Sequence, residues 1–360
     1  MTRLLVTGAA GFIGSNFVRW LLDHDASVRI VSLDALTYAG SLENLRGLSD
    51  ADRHVFVEGD VCDADLVEGL LREHALDGIV HFAAESHVDR SIHGPAAFVQ
   101  TNVVGTFALL DAARRVWLGD DGPGADAVRF HHVSTDEVYG SLEPDDPAFS
   151  ETTSYDPSSP YSATKAASDH LVRAYGRTYG LPVSITNCSN NYGPYQFPEK
   201  LVPLMIANAL SGRPLPIYGD GQQVRDWLYV DDHCEAVWRV ATEGTPGCTY
   251  NVGGEAEVAN LDLVHQLCAV LDARVPDSPH VPHADLITFV TDRPGHDRRY
   301  AMDIRRIGQD LDWSPSESLE SGLAKTVDWY LSNGEWLRAV AEQKGFKAWL
   351  DVNYQARTTV

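Results

Sequence analysis

The chain has 360 residues, 44% of them hydrophobic, enough for one large domain or two small ones with cores of their own. A formal net charge of −23 opposes binding to nucleic acid or anionic lipid, so any anionic ligand has to be met by a local basic pocket. The five cysteines (Cys62, Cys188, Cys234, Cys248, Cys268) are scattered without CxxC spacing, which predicts a reducing cytoplasm, no disulfide framework and no metal site.

No run of eighteen apolar residues suggests a membrane span, and Met1-Thr-Arg passes directly into a predicted strand, Leu4 to Thr7, without a cleavable leader pattern. Residues 4 to 34 read as strand, glycine turn, helix, strand. Gly8-Ala-Ala-Gly11-Phe12-Ile13-Gly14 follows the first strand and opens a helix over about Ser15 to Asp23, so a pyrophosphate can rest on that helix's N-terminus. The second strand, Val28 to Leu33, ends in Asp34. A carboxylate there accepts hydrogen bonds from a ribose diol and repels a 2′-phosphate, which selects NAD over NADP. The third strand, His54 to Glu58, ends at Gly59-Asp60-Val61, where Asp60 can reach an adenine. The fourth, Gly78 to Phe82, runs into Ala83-Ala84-Glu85-Ser86, whose small residues let backbone lie against a cofactor and whose Ser86 can reach a sugar.

A helix over about Ala96 to Trp117 follows and contains Thr101 and Asn102. Its apolar residues spread beyond one face (Phe98, Val103, Phe107, Leu110, Val116, Trp117). Arg129 to Ser134 reads as a strand stopped by Thr135-Asp136-Glu137. If Thr135 caps a helical turn, the two carboxylates splay by roughly 100° and can address one cavity. After the turn Pro157 to Pro160, Tyr161 opens a helix that places Lys165 on the same face. An ammonium beside a phenol favours the phenolate; moving a tyrosine to working pH takes about 3 units, or roughly 4 kcal/mol. Only five residues are lysine, and Lys165 and Lys200 alone precede Lys325, which marks both as places where arginine does not serve. The Tyr161 helix is also over-apolar (Leu171, Val172, Ala174, Tyr175). The two helices, near 96–117 and 161–179, therefore predict a homodimer.

Strands and helices alternate to about Ile185, which predicts a doubly wound parallel sheet. The amide-rich Asn187 to Asn191 then suits ligand contact. Lys200, a helix from Val202 to Leu210, and Pro214 to Tyr218 follow. Arg225 to Val230 reads as a strand returning to the sheet, Asn251 to Gly254 as a turn, and Asn260 as the start of a helix to about Leu271. Arg293, Arg298 and Arg299, in one Pro-Gly loop of a very acidic chain, read as an anion pocket. Leu319 to Ser332 reads as helix and the tail after Tyr354 as disordered. The expected division is a Rossmann-type NAD domain (1–187 with 222–257), a smaller α/β nucleotide-sugar domain (188–221 with 258–345) and a tail (346–360).

A nicotinamide site with a Tyr/Lys pair oxidises an alcohol, which leaves Asp136 and Glu137 without a task. Oxidising one sugar carbon to a ketone acidifies the neighbouring C–H; one carboxylate can remove that proton while a second, protonated carboxyl expels a hydroxyl from the next carbon. Two close carboxyls push their pKa values apart, so an acid and a base can coexist. Returning the hydride gives an internal redox dehydration. A nucleotide-sugar 4-epimerase, which needs no such acid and base, and a non-catalytic NAD sensor, which needs no Tyr/Lys pair, are the alternatives.

From Leu4 to about Tyr330 the chain resembles the dTDP-glucose 4,6-dehydratases of the extended short-chain dehydrogenase/reductase superfamily. The resemblance lies in Ser134-Thr-Asp-Glu-Val-Tyr-Gly140, Asp34-Ala-Leu-Thr-Tyr-Ala-Gly40, Asn187 to Lys200, Arg225-Asp-Trp and Arg293-Pro-Gly-His296; Ala9, where the family often has Gly, and a larger 119–126 loop depart from it. It implies tightly held NAD, a dTDP-glucose substrate and a homodimer. It also implies that Tyr161 deprotonates the C4 hydroxyl with help from Lys165 and Thr135, that Glu137 takes the C5 proton and that Asp136 protonates the departing C6 hydroxyl. The implied cofactor set is Gly8, Gly11, Phe12, Ile13, Gly14, Asp34, Ala35, Leu36, Thr37, Asp60, Val61, Phe82, Ala83, Ala84, Ser86, Thr101, Ser134, Tyr161, Lys165 and Asn191. The implied substrate set is Ser86, Thr135, Asp136, Glu137, Asn190, Lys200, Leu201, Pro216, Ile217, Tyr218, Arg225, Asn260, Arg293, His296 and Tyr300.

Overall fold

Leu4 and Leu5 define the plane about which the chain winds: neighbours in one strand, they point to opposite faces and enter different cores. Leu5 packs with Val31, Leu33, Leu109, Trp117 and Phe130, whereas Leu4 joins Phe17, Val18, Ile30, Val80 and Val237. Burial on both faces is what makes these strands continuous apolar runs and what a parallel sheet requires. The structure, a computed structural model, describes residues 1–48 and 52–342.

Strands are labelled β1 (Arg3–Thr7), β2 (Arg29–Asp34), β3 (His54–Glu58), β4 (Gly78–His81), β5 (Arg129–Thr135) and β6 (Val183–Cys188). They continue as β7 (Asn190–Tyr192), β8 (Leu215–Tyr218), β9 (Val224–Tyr229), β10 (Thr249–Val252), β11 (Glu257–Ala259) and β12 (Ile287–Val290). Seven form one parallel sheet in the order β10-β6-β5-β4-β1-β2-β3. The order reverses between β1 and β4, which opens a crevice at the carboxyl ends of the strands.

Two expectations change. The Arg225 segment does not return to this sheet: β9 pairs with β7 in parallel and with β11 antiparallel, in a separate three-stranded sheet. The strand that returns is β10, so Asn251 and Val252 are strand residues and the turn starts at Gly253. At Gly254 a Cβ would stand 1.9 Å from the Trp227 carbonyl, and that close approach of backbone to β9 is why the turn ends in glycine. Around β9 a second core gathers Tyr192, Met205, Ile217, Trp227, Leu263, Leu323 and Tyr330.

The helix expected over 96–117 is interrupted. It runs Pro95–Phe98, widens into a π-turn over Val99–Gly105 and resumes as Thr106–Trp117. The wider turn brings Asn102 inward, where its side chain spans the Glu85 backbone and the Thr164 hydroxyl. Pro95–Trp117 is also long and apolar enough to cross a membrane by length and composition, unlike the expectation, but half of its most apolar window is buried within the fold. The predicted helix Leu319–Ser332 is present, and the tail after Tyr354 lies outside the described residues.

Candidate active site

The crevice at the strand ends is a cleft of about 310 Å³. Its floor is backbone. A Cβ on Gly8 would meet the Ala83 nitrogen at 2.6 Å and one on Gly14 the Gly8 oxygen at 2.2 Å, so no side chain can stand between the first turn and the start of the helix Phe12–His24. Gly11, at that helix's N-cap, offers no side-chain acceptor and leaves the first-turn N–H groups to a ligand. Asp34, at the end of β2, accepts from Ala10 N at 2.9 Å and Leu36 N at 2.8 Å and is held facing the cleft. Burial pushes its carboxyl above the usual range, against the pull of those backbone donors. A pyrophosphate cradle followed by an acidic ribose partner fits NAD.

Every residue expected along the cofactor lines this cleft except Leu36, which adopts a left-handed φ of 49° and donates its N–H to Asp34. Ser86, Thr135 and Asp136 from the substrate set also line it. A second recess of about 170 Å³ adjoins, sharing Glu137, Asn190, Glu199 and Lys200 with the first. Leu201, Pro216, Ile217, Tyr218, Arg225, Asn260, Arg293, His296 and Tyr300 line this second recess.

Thr135 ends β5 and caps a 3₁₀ turn, Asp136–Tyr139, its hydroxyl accepting from Glu137 N at 3.3 Å. Both carboxyls are thereby turned into one buried place, but their surroundings differ. Burial, then Glu137, drives Asp136 well above the ordinary carboxyl range, which favours its acid form. Burial also raises Glu137, while the cations Arg293, Lys200 and Arg225 favour its charged form. Lys200 is fixed by donating to Ser86 O at 3.0 Å, and Arg225 lies over the Tyr300 ring at 4.2 Å.

The Pro160–Tyr179 helix starts at a Ser159/Ser162 capping box and carries Tyr161 and Lys165 into the cleft wall. Here burial works against the ionised pair expected from the sequence. Lys165 Nζ donates to Val133 O at 2.8 Å, and burial lowers the ammonium to about 8. Tyr161 is raised well above an ordinary phenol by burial, then by Glu137 and Cys188, with a hydrogen bond from Thr135 opposing. The arginine loop is corrected: Arg298 pairs with Asp220 at 3.2 Å and Arg299 with Glu257 at 2.7 Å, leaving Arg293 to line the recess.

Among the lining groups that escaped the sequence reading are two carboxylates with cationic partners. Glu199, buried, holds Arg90 at 2.8 Å, and Arg90 covers the Tyr38 ring at 3.8 Å. Asp89 lies 3.8 Å from Arg293 and accepts from the Tyr218 hydroxyl at 3.2 Å. In so acidic a chain nothing local distinguishes these carboxylates from solvated ones; the neighbouring Lys200 was the one available signal for Glu199.

The family model described as GDP-mannose 4,6 dehydratase matches residues 5–326. The chain is 54% identical to dTDP-glucose 4,6-dehydratase 1 of Escherichia coli (strain K12) over 99% of both chains. It is 57% identical to the dTDP-glucose 4,6-dehydratase of Xanthomonas campestris pv. campestris (strain ATCC 33913) over 95% of this chain and 97% of that one. The solved structure of the Streptomyces venezuelae enzyme DesIV, a dTDP-glucose 4,6-dehydratase with NAD and dTDP bound, superposes with a TM-score of 0.85 at 46% identity, covering 94% of this chain and all of that one. With the cleft, the turn bearing two carboxyls and the Tyr/Lys helix in place, these likenesses settle the affiliation: the chain belongs to the dTDP-glucose 4,6-dehydratase family.

Proposed function

We propose that this cleft converts dTDP-glucose to dTDP-4-keto-6-deoxy-glucose and water, with no net consumption of NAD. The observation that carries the reading is the adjacency of Asp136 and Glu137 in one turn: burial raises both, Glu137 pushes Asp136 further up, and Arg293, Lys200 and Arg225 work against the rise at Glu137. NAD, held along Gly8 to Gly14 and Asp34, supplies a hydride acceptor at the first step and the same hydride at the last.

Tyr161, as the phenolate, takes the C4 hydroxyl proton, with Thr135 donating to its phenolic oxygen and Lys165 supplying positive charge. Once C4 is a ketone, Glu137 removes the C5 proton and Asp136 gives its proton to the C6 hydroxyl, which leaves as water. Glu137 then returns its proton to C5 as the hydride reaches C6. Arg225, Arg293 and Lys200 neutralise the diphosphate in the second recess, and Pro216, Ile217 and Tyr218 bound the base; Asn190 and Asn260 supply polar contacts, Tyr300 braces Arg225, and His296, held by Asp292 at 2.7 Å, completes the wall. Proton NMR of dTDP-glucose with the protein and NAD tests this: a new C6 methyl signal without accumulating NADH is expected, whereas an unchanged hexose or a galactose signal overturns it.

We also place the protein in the cytoplasm, where Cys62, Cys188, Cys234, Cys248 and Cys268 stay unpaired. It works as a homodimer through the helices near 96–117 and 161–179. Val99, Val104 and Phe107, 49%, 38% and 47% exposed, supply an apolar face on the first helix. Phe107→Glu is expected to give a folded monomer by light scattering; an unchanged dimer mass would move the interface elsewhere.

A further inference from the structure

Behind Lys165, away from the cleft, lies a buried charged group that the dehydration chemistry leaves unused. Asp169, one helical turn on, is wholly buried, as is His132 on β5. His132 Nε2 lies 3.3 Å from Asp169 Oδ1 and 3.5 Å from Lys165 Nζ, so the imidazole edge stands between the ammonium and the carboxylate. The other carboxylate oxygen accepts from the Ser134 hydroxyl at 3.0 Å and the Tyr155 hydroxyl at 2.7 Å. Arg173 in turn donates to the Tyr155 hydroxyl at 2.6 Å.

The proton on the imidazole can be placed by elimination. His132 Nδ1 has no hydrogen-bond partner, and Asp169 Oδ1 has none unless the ring supplies it. An Nδ1–H tautomer would let Nε2 accept the long 3.5 Å contact from Lys165 but would bury an unmade donor and an unmade carboxylate acceptor together; Nε2–H, directed at Asp169 Oδ1 at 3.3 Å, leaves only one neutral acceptor idle. An Nε2 carrying hydrogen cannot accept from Lys165. The ammonium is therefore attracted by Asp169 without being bound to it. One of its protons goes to Val133 O, and the others remain available on the cleft side.

We infer that Asp169 and His132 are positioning residues for Lys165, Asp169 as the buried counterion that keeps the lysine charged and His132 as the spacer that stops the two from closing into a salt bridge. The groups facing this cluster are His81 from β4, Cys188 from β6, Tyr155 from the preceding loop, Tyr139 from the 3₁₀ turn, and Tyr161 and Arg173 from the same helix. Burial depresses Lys165, and of these neighbours Asp169 is the first to raise it again; Asp169 itself is held below the usual carboxyl range by His132, Lys165 and Arg173, against its own burial. Burial, then Lys165, lowers His132 to about 4, so it is the neutral member at working pH.

The inference rests on the dehydratase reading for the value of a charged Lys165, so it is tested first by measurements that need no substrate. With only five lysines, ¹⁵Nζ NMR of the full chain, assigned by Lys165→Arg, follows the titration directly. In Asp169→Asn the Lys165 midpoint is expected to fall by about one unit or more. In His132→Leu it is expected to rise, because Asp169 can then reach the ammonium. The alkaline limb of kcat should follow in the same opposite directions, with KM for the nucleotide sugar changed by no more than about twofold. Midpoints that stay put, or move in the same direction, overturn the proposal; a chain inactive on dTDP-glucose but with these shifts would sink only the dehydratase reading. Imidazole ¹⁵N shifts of the unmutated protein give an answer even if a variant fails to fold. A neutral Nε2–H ring at pH 7 is expected for His132, and an Nδ1–H or charged ring would overturn the proposal.

Discussion

Glu137→Gln will stop dehydration while leaving the C4 alcohol oxidisable. The substitution preserves size but removes the carboxyl that three cations favour in its charged form. Arg293, Lys200 and Arg225 all work against the rise that burial causes at Glu137, whereas Asp136 beside it is raised well above the ordinary carboxyl range. A positioned general base contributes about 10²- to 10⁴-fold, so turnover should fall by that range. The variant should accumulate NADH in the presence of dTDP-glucose, because C4 oxidation proceeds and the hydride finds no unsaturated acceptor. In deuterated water it should also fail to exchange the C5 proton. Dehydration at the unmutated rate would assign the base elsewhere, and a 4-epimerase using the same cleft would be nearly indifferent to the change.

What could be read from the chain alone follows from how local each signal is. The Gly8 to Gly14 turn, Asp34 and the Tyr161/Lys165 spacing each express themselves within one turn or one strand end, and the structure places them on one cleft. The Thr135 cap was equally local, and it put both carboxyls where a continuing strand would have turned them to opposite faces. Sheet membership was not local. β9 is buried along nearly its whole length despite Arg225 and Asp226, and its partners, Asn190–Tyr192 and Glu257–Ala259, are three residues each and half polar, too short to carry a period. The π-turn before Thr106 leaves no mark in composition, because it inserts register rather than residue type. Charge partners were least legible: Arg90 and Glu199 are 109 residues apart, and only the folded chain distinguishes Arg293, in the recess, from Arg298 and Arg299, on surface acids. The same applies to Lys165, whose spacing from Tyr161 was plain but whose counterion sits behind it on the far side of His132.

Tyr161→Phe removes the first proton acceptor rather than the second, and its signature should differ from that of Glu137→Gln. The phenol is raised by burial and by Glu137, and Thr135 is the hydrogen-bonding partner that pulls its pKa down. Phenylalanine keeps the ring against Phe98, with which Tyr161 makes an edge contact at 6.3 Å, so the fold should stand. Loss of the acceptor should cost about 10²- to 10⁴-fold in kcat with nucleotide-sugar binding nearly unchanged, the pattern of an interaction made only in the transition state. Because C4 is never oxidised, no NADH should accumulate and the C5 proton should not exchange. Mixing the two variants should not restore turnover, since both defects lie in one protomer's cleft. Should Tyr161→Phe instead accumulate NADH as Glu137→Gln does, the phenol would act after oxidation, and the order of proton transfers proposed for this turn and helix would have to be reversed.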